Sequence, residues 1–262
     1  MKKFLCLLAT AVLFLIGSSE SYATPTTQVW TAASSDVQPY GVLHIGIDNY
    51  FTMARKNDKG SLPTDVGLTI GVLPYEKLQL EVGIDYLEPT TDPFLFNAKL
   101  GTPEGALFEG SPAINVGIFN VGTDSRDSSK DGDGRTDLNI ADFIVGKTLP
   151  FGLGRLHAGV YYGNKKVLVD KEGNKKNTGY MVGWDKGFMP KKDGEAEYNR
   201  LVVAADWASG KNAIGGGGAA VSYFFTKDIS LLTGPVWFNE PELAGPSANA
   251  KWVWSTQLDI NY

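Results

Sequence analysis

The chain is poor in the residues that build most small-molecule chemistry: among 262 residues there are one cysteine and two histidines. Cys6 sits close to the start, so the remainder can form neither a disulfide framework nor a thiolate metal site. Basic residues number 24 against 29 acidic ones, a net charge of −5. That balance lacks the positive footprint of a nucleic-acid binder. No apolar run reaches the roughly 20 residues that a membrane-spanning helix requires. Passage through a bilayer would therefore have to use strands, which satisfy their backbone groups only in a closed barrel. The 31 glycines also argue against a helix-rich globule, because glycine weakens helix interiors.

What the sequence does contain begins with a three-part leader. Met1-Lys2-Lys3 is basic, Phe4 to Gly17 is an almost wholly apolar run of 14, and Ser21-Tyr22-Ala23 ends in a small-x-small cleavage pattern. Residues 1–23 read as a secretory signal peptide, residues 24–37 as an N-terminal lead, and residues 38–262 as the folded body. Cys6 precedes the apolar core rather than marking a cleavage point, so lipidation is not expected.

The body shows a two-residue apolar period, the mark of a sheet with chemically different faces. From Asp65 to Val72, Val66, Leu68, Ile70 and Val72 alternate with Asp65, Gly67, Thr69 and Gly71. After Pro74-Tyr75-Glu76-Lys77 the alternation resumes from Leu78 to Tyr86, which makes a hairpin. Ten further segments fit strands: Val42 to Phe51, Phe94 to Gly101, Ala113 to Val121, Leu138 to Lys147, Arg155 to Gly163, Gly179 to Asp185, Arg200 to Trp207, Gly218 to Phe225, Ile229 to Trp237 and Trp252 to Tyr262. The phase is ambiguous in Leu138 to Lys147 and in Ile229 to Trp237.

Alternation also serves soluble sandwiches; aromatic placement favours lipid. Tyr86, Phe94, Tyr162, Trp207 and Trp252 lie on the apolar phase near one set of strand ends, and Phe225 and Tyr262 near the other. Such girdles suit the two bilayer interfaces. The last strand places Trp252, Trp254, Thr256, Leu258, Ile260 and Tyr262 on one phase and stops on the aromatic. Here the sequence resembles bacterial outer-membrane β-barrel proteins, porin-like, whose final strand is read by the barrel-assembly machinery; the resemblance implies that Leu258, Ile260 and Tyr262 form that assembly signal. Ser-Gly-Lys-Asn at 209–212, Tyr223-Phe224-Phe225-Thr226-Lys227-Asp228 and Gln257 to Tyr262 also resemble, more loosely, outer-membrane transport proteins of aromatic-compound degradation pathways. The expected fold is an all-β, transmembrane, antiparallel up-and-down β-barrel of about 12 strands. It would lie in the bacterial outer membrane, with outer-membrane lipid and lipopolysaccharide around it.

Connection lengths fit such a barrel with both termini in the periplasm. Short links at residues 74–77, 148–154 and 226–228 fall on one side, and long polar links at 52–64, 122–137, 164–178 and 238–250 on the other. Residues 186–199 break the rule as a long link on the short side.

The polar phase would line the lumen with His44, Asp48, Glu81, Asp85, Lys99, Arg155, His157, Arg200, Asp206 and Asp259, joined by Gln79, Asn97, Asn115, Gln257 and Asn261. A twelve-stranded barrel has a backbone radius of roughly 12 Å and can leave a path for small solutes. Asp48, Asp85 and Asp206 fall towards the outer mouth and Arg155 and Arg200 towards the inner end, which suggests a weak cation preference outside. The opposing reading is that these charges pair across the lumen and plug it.

Other chemistry finds less support. Gly215 to Gly218 opens a strand rather than a helix, so it is no phosphate loop; glycine there lets the sheet bend or another backbone approach. Asp131, Asp133 and Asp137 are spaced like half of a calcium loop, but Ile140 stands where its bidentate Glu belongs, so a solvated acidic loop is the better reading. No metal or cofactor is expected. His44 and His157 lie on the lumen phase without an activated serine motif, so no enzyme is expected, although an outer-membrane hydrolase stays as an alternative. The reading is an outer-membrane channel for passive passage of small polar or amphipathic solutes. A structural or partner-binding barrel is its main rival, with the lysine-rich loop 164–178 as a possible contact.

Overall fold

A computed structural model of the chain describes residues 28–53, 60–126, 135–194 and 196–262. The expected leader, with Cys6, and both Asp131 and Asp133 lie outside the described residues. Twelve strands run in chain order among them: β1 (Leu43–Phe51), β2 (Thr64–Gly71), β3 (Gln79–Glu88), β4 (Phe94–Thr102), β5 (Ala113–Gly122), β6 (Ile140–Thr148), β7 (Arg155–Tyr162), β8 (Thr178–Asp193), β9 (Ala196–Ala208), β10 (Gly216–Phe224), β11 (Ile229–Phe238) and β12 (Trp252–Asn261). Each pairs antiparallel with its sequence neighbours and β1 pairs with β12, so the sheet closes into an up-and-down barrel. The seam is sealed by reciprocal backbone bonds, Leu43 N to Tyr262 O at 2.9 Å and Tyr262 N to Leu43 O at 2.8 Å.

The two faces are inverted relative to a soluble protein. Outward-pointing Leu68, Phe96, Ile118, Phe143, Val160 and Val221 are exposed, Val160 at 56%, while inward-pointing Glu81, Lys99, Asn115, His157, Asp185 and Gln257 are buried, Lys99 at 3%. A continuous apolar exterior of this kind is stable only against another apolar phase. Aromatic rings gather at both rims: Tyr86 against Phe94 and Tyr180 against Trp207, each pair 5.4 Å apart, at the long-loop end, and Tyr223 against Phe225 at 5.2 Å at the short-turn end. Leu258, Ile260 and Tyr262 share the outward phase of β12.

The link at residues 186–199 is not a loop. β8 and β9 stay paired past the barrel wall, through Lys191–Tyr198 and Lys192–Glu197 to Asp193–Ala196, although β7 stops pairing with β8 at Asp185. β9 leaves β10 at Leu201, so beyond the wall the ribbon runs about five residues per strand, roughly 16 Å at about 3.3 Å per residue. On the β8 arm Phe188 to Asp193 are exposed on both faces, so pairing there leaves no trace in the hydrophobic pattern, while on the β9 arm Tyr198 packs against Phe224 and Val202. The long link on the short-turn side is therefore a tight hairpin at the tip of two overlong strands.

Candidate functional site

Residues 28–39, the end of the expected lead and the first two residues of the expected folded body, run through the barrel interior. Their sequence, QVWTAASSDVQP, has no two-residue period, and the segment joins no strand of the sheet. Buried backbone groups must nevertheless find partners, and the lumen wall supplies them. Asp206 Oδ2 accepts from the backbone N–H groups of Val29, Trp30 and Thr31 at 2.8, 2.8 and 2.7 Å, while its Oδ1 accepts from Gly218 N at 2.9 Å. Gln257 donates to Val29 O at 2.7 Å, and Asn115 to Ser34 O at 3.0 Å. Lys99 donates to Asp36 O at 3.1 Å and lies 3.8 Å from Glu81, which accepts from Gln38 N at 2.6 Å. Arg155 grips both carboxylate oxygens of Asp36, at 2.6 and 2.5 Å.

Close approach needs missing side chains on the wall. A Cβ at Gly218 would lie 2.5 Å from Val29 Cγ1, and one at Gly146 would overlap the Ser35 hydroxyl. Within the run at 215–218, Gly216 and Gly218 face the segment, where Cβ atoms would meet Trp30 and Val29, and this close approach is the second of the two uses expected for the run. At the long-loop side Trp30 packs edge-on against Tyr50 (5.3 Å) and Phe238 (5.2 Å) and donates from Nε1 to Ile214 O at 3.1 Å.

The ten titratable residues expected in the lumen therefore separate into groups. Glu81, Lys99, Arg155, His157 and Asp206 hold the N-terminal segment. His44 and Asp259 sit at the short-turn end, 3.6 Å apart, with His44 Nδ1 3.1 Å from Asn261 Oδ1 and Asp259 accepting from Ser230 Oγ at 3.2 Å. Asp48 and Asp85 face a cavity at the long-loop end. Arg200 leaves the set: its guanidinium lies 5.3 Å above Tyr223, whose strand phase points outward. Opposite it Met189 takes a φ of +57°, and beside this kink Asn199, not Arg200, reaches the space in front of Gly187.

Asp36 and Asp185 were not among the expected residues, yet with Arg155, His157 and Ser35 they form one linked cluster, in which Ser35, His157 and Asp185 are buried and Asp36 is half-buried. His157 Nε2 is 2.8 Å from Asp185 Oδ2, and His157 Nδ1 is 3.0 Å from Ser35 Oγ and accepts from Ser35 N at 3.1 Å. Arg155 and Gln28 also donate to Asp185, at 3.3 and 3.2 Å. Serine, histidine and aspartate in this order match a nucleophile relay. Here, however, Ser35, His157 and Asp185 are all buried and the hydroxyl abuts Gly146, which leaves no room for a substrate. The cluster is a clamp on the segment.

Above the segment lies a cavity of about 300 Å³. Trp30, Thr31 and Ala32 form its floor; Tyr50, Phe119, Met181 and Ala208 contribute to its walls; Leu62, Pro63, Leu138 and Ile214 contribute to its rim. One wall is acidic. Asp48 and Asp65 are cross-strand partners on β1 and β2, and Asp85 follows on β3. Asp85 accepts from Asn97 at 2.5 Å, and the Asn97 amide is held by Asn120 N, which donates to its Oδ1 at 3.0 Å from a bulge in β5 where Phe119 and Asn120 together face Asn97. Asp65 Oδ1 is buried without a hydrogen-bond partner. Asp206, expected beside Asp48 and Asp85 at this mouth, is instead consumed by the segment.

In the long loops, Asp137 is committed to Arg135 (2.6 Å) and Asn164 (2.8 Å), and among the described residues no group of three or more His, Cys, Asp or Glu is arranged to hold a metal. Asp124 is held down to a pKa of about 2 by the Arg126 side chain and then by the Arg126 backbone N–H.

No family model matches the chain, and no curated protein matches it. Solved structures with a similar barrel include OmpF of Salmonella typhi in complex with daunomycin, at 9% identity over 84% of this chain and 96% of that one, with a TM-score of 0.41. CdiB from Acinetobacter baumannii is similar at 10% identity over 84% and 60%, with a TM-score of 0.36. The N-terminal β-barrel domain of Pseudomonas aeruginosa OprF follows at 11% over 86% and 100%, with a TM-score of 0.21. Likeness at this level says nothing of what the chain does; its own lumen carries the functional argument.

Proposed function

We propose that the chain is an outer-membrane channel, shut in the observed state by its own N-terminal segment, through which small polar or amphipathic solutes pass when that segment withdraws. In this reading residues 1–23 are a leader for export, the short-turn end faces the periplasm, and lipid and lipopolysaccharide surround the apolar wall. The observation that carries it is the gathering of polar and charged wall residues, buried Glu81, Lys99, His157 and Asp206 with partly buried Arg155, around a segment that belongs to no strand. A barrel needing only a solid core could fill it with apolar side chains, without burying charges. The test is conductance in planar bilayers of the chain starting at Thr24 and of a version starting at Tyr40. The first should show rare openings and the second steady conduction. A shortened chain that still migrates as a folded barrel but conducts no more than the first would overturn the proposal.

The partner-binding reading retains one specific support, the β8–β9 ribbon that projects from the short-turn end with both edges unpaired. Recovery of a stoichiometric envelope partner that is lost when residues 188–198 are replaced by a two-residue turn, with no conductance from either chain, would favour it.

A further inference from the structure

We infer that the cavity above the N-terminal segment is a binding site for a small amphipathic organic cation, one ammonium group on an aromatic or alkyl body. Its volume, about 300 Å³, is at the lower end of small-molecule pockets. Two chemistries meet in it. The floor and most of the walls are apolar and aromatic, with Trp30 and Tyr50 packed at right angles among them. The opposite wall carries Asp48, Asp65 and Asp85 on three adjacent strands, and among the described residues no lysine or arginine forms an ion pair with any of them.

Each feature alone would be satisfied by something simpler. An apolar cavity takes any hydrophobe, and an acidic wall in water holds mobile counter-ions. Together they select a guest with one charged end and one greasy end. Carboxylates in a narrow, mostly apolar mouth repel one another, and a cation between them relieves that repulsion. Asp65 Oδ1 is buried with no hydrogen-bond donor, so an ammonium N–H would satisfy an atom that now pays for its burial. A hydrated metal ion suits the site less well, because these carboxylates are not arranged as a ligand group.

The site exists only while the segment is in place, since Trp30, Thr31 and Ala32 are its floor. The inference therefore rests on the segment occupying the lumen, but not on conduction. The test uses the chain from Thr24 in detergent micelles, titrated calorimetrically with 2-phenylethylammonium, with 2-phenylethanol as the neutral relative, 3-phenylpropionate as the anion, and calcium alone. The expected order is cation first, the alcohol at least about tenfold weaker, and the anion undetectable. Asp65→Asn and, separately, Asp48→Asn should each weaken the cation about tenfold and leave the alcohol unchanged. Equal binding of cation and alcohol, binding of calcium in preference to both, or cation binding untouched by both substitutions would overturn the inference. Binding without conductance from the shortened chain would keep the site and sink the channel; conductance without binding would do the reverse.

Discussion

Asp206 is the single side chain on which the upper part of the N-terminal segment depends most. One of its oxygens receives three consecutive backbone N–H groups, at 2.7–2.8 Å. In Asp206→Ala those three donors stay buried with no acceptor, and each unsatisfied group costs about 1–3 kcal/mol. Taking the low end for each gives about 3 kcal/mol against the seated position, a shift of roughly 10²-fold between seated and withdrawn states. The barrel keeps its strands, because Asp206 projects into the lumen and, although Gly218 N on β10 also loses its acceptor, the rest of the β9 pairing with β8 and β10 is made by backbone groups. Single-channel recording should show open probability rising by about two orders of magnitude. Asp206→Asn, which keeps an acceptor but loses the charge, should fall between. An Asp206→Ala barrel that migrates as folded yet opens no more often than the parent would refute the reasoning, because the three hydrogen bonds would then not be what holds the segment.

Other expectations follow from the same geometry. Arg155→Gln leaves Asp36 and Asp185 without their shared cation, and breaking a buried pair this way costs about 3–5 kcal/mol; protease cleavage of the N-terminal segment in detergent should accelerate while the barrel stays intact. Ile118→Arg puts a charge on the outward face near mid-strand and should destabilise the barrel by about 2–4 kcal/mol in urea unfolding from lipid vesicles, whereas Ile118→Val should change little. The folded-state pKa of Asp124 is depressed to about 2 by Arg126, so the stabilising contact it makes is complete above the ordinary carboxylate pKa and is lost as pH falls towards 2. Carbon-13 carboxyl NMR should show Asp124 titrating near that value, and near the ordinary one in Arg126→Gln.

The strands were legible because each has one face against an apolar phase, and that contrast prints a two-residue period on β2 and β3 above all. β8 beyond Asp185 was not legible: hydrogen bonding continues there but one-sided burial does not, and pattern reading detects burial rather than pairing. The lumen set was found by phase, which located Glu81, Lys99, Arg155, His157 and Asp206 without revealing their partner. Asp36 and Ser35 belong to a stretch with no period at all, and their role depends on contacts with residues more than a hundred positions away. One signal was available. Gly146 and Gly218 fall on lumen phases, where a small residue leaves space beside the wall, and a run of polar and small residues just ahead of the first strand is what could fill it. Asp65 was read as the polar partner in a clear alternation but not as part of a lumen cluster; only the β1–β2 register sets it opposite Asp48.

The claim on which the account depends is that residues 28–39 lie inside the barrel, bonded to its wall. Amide hydrogen exchange of the chain from Thr24 in lipid nanodiscs tests it most directly. The amides of Val29, Trp30, Thr31, Ser35 and Gln38 should be protected to a degree comparable with those of β9, since each donates to a lumen side chain. Exchange of these five at the rate of an unstructured peptide, with the strands still protected, would show an empty lumen and contradict the account.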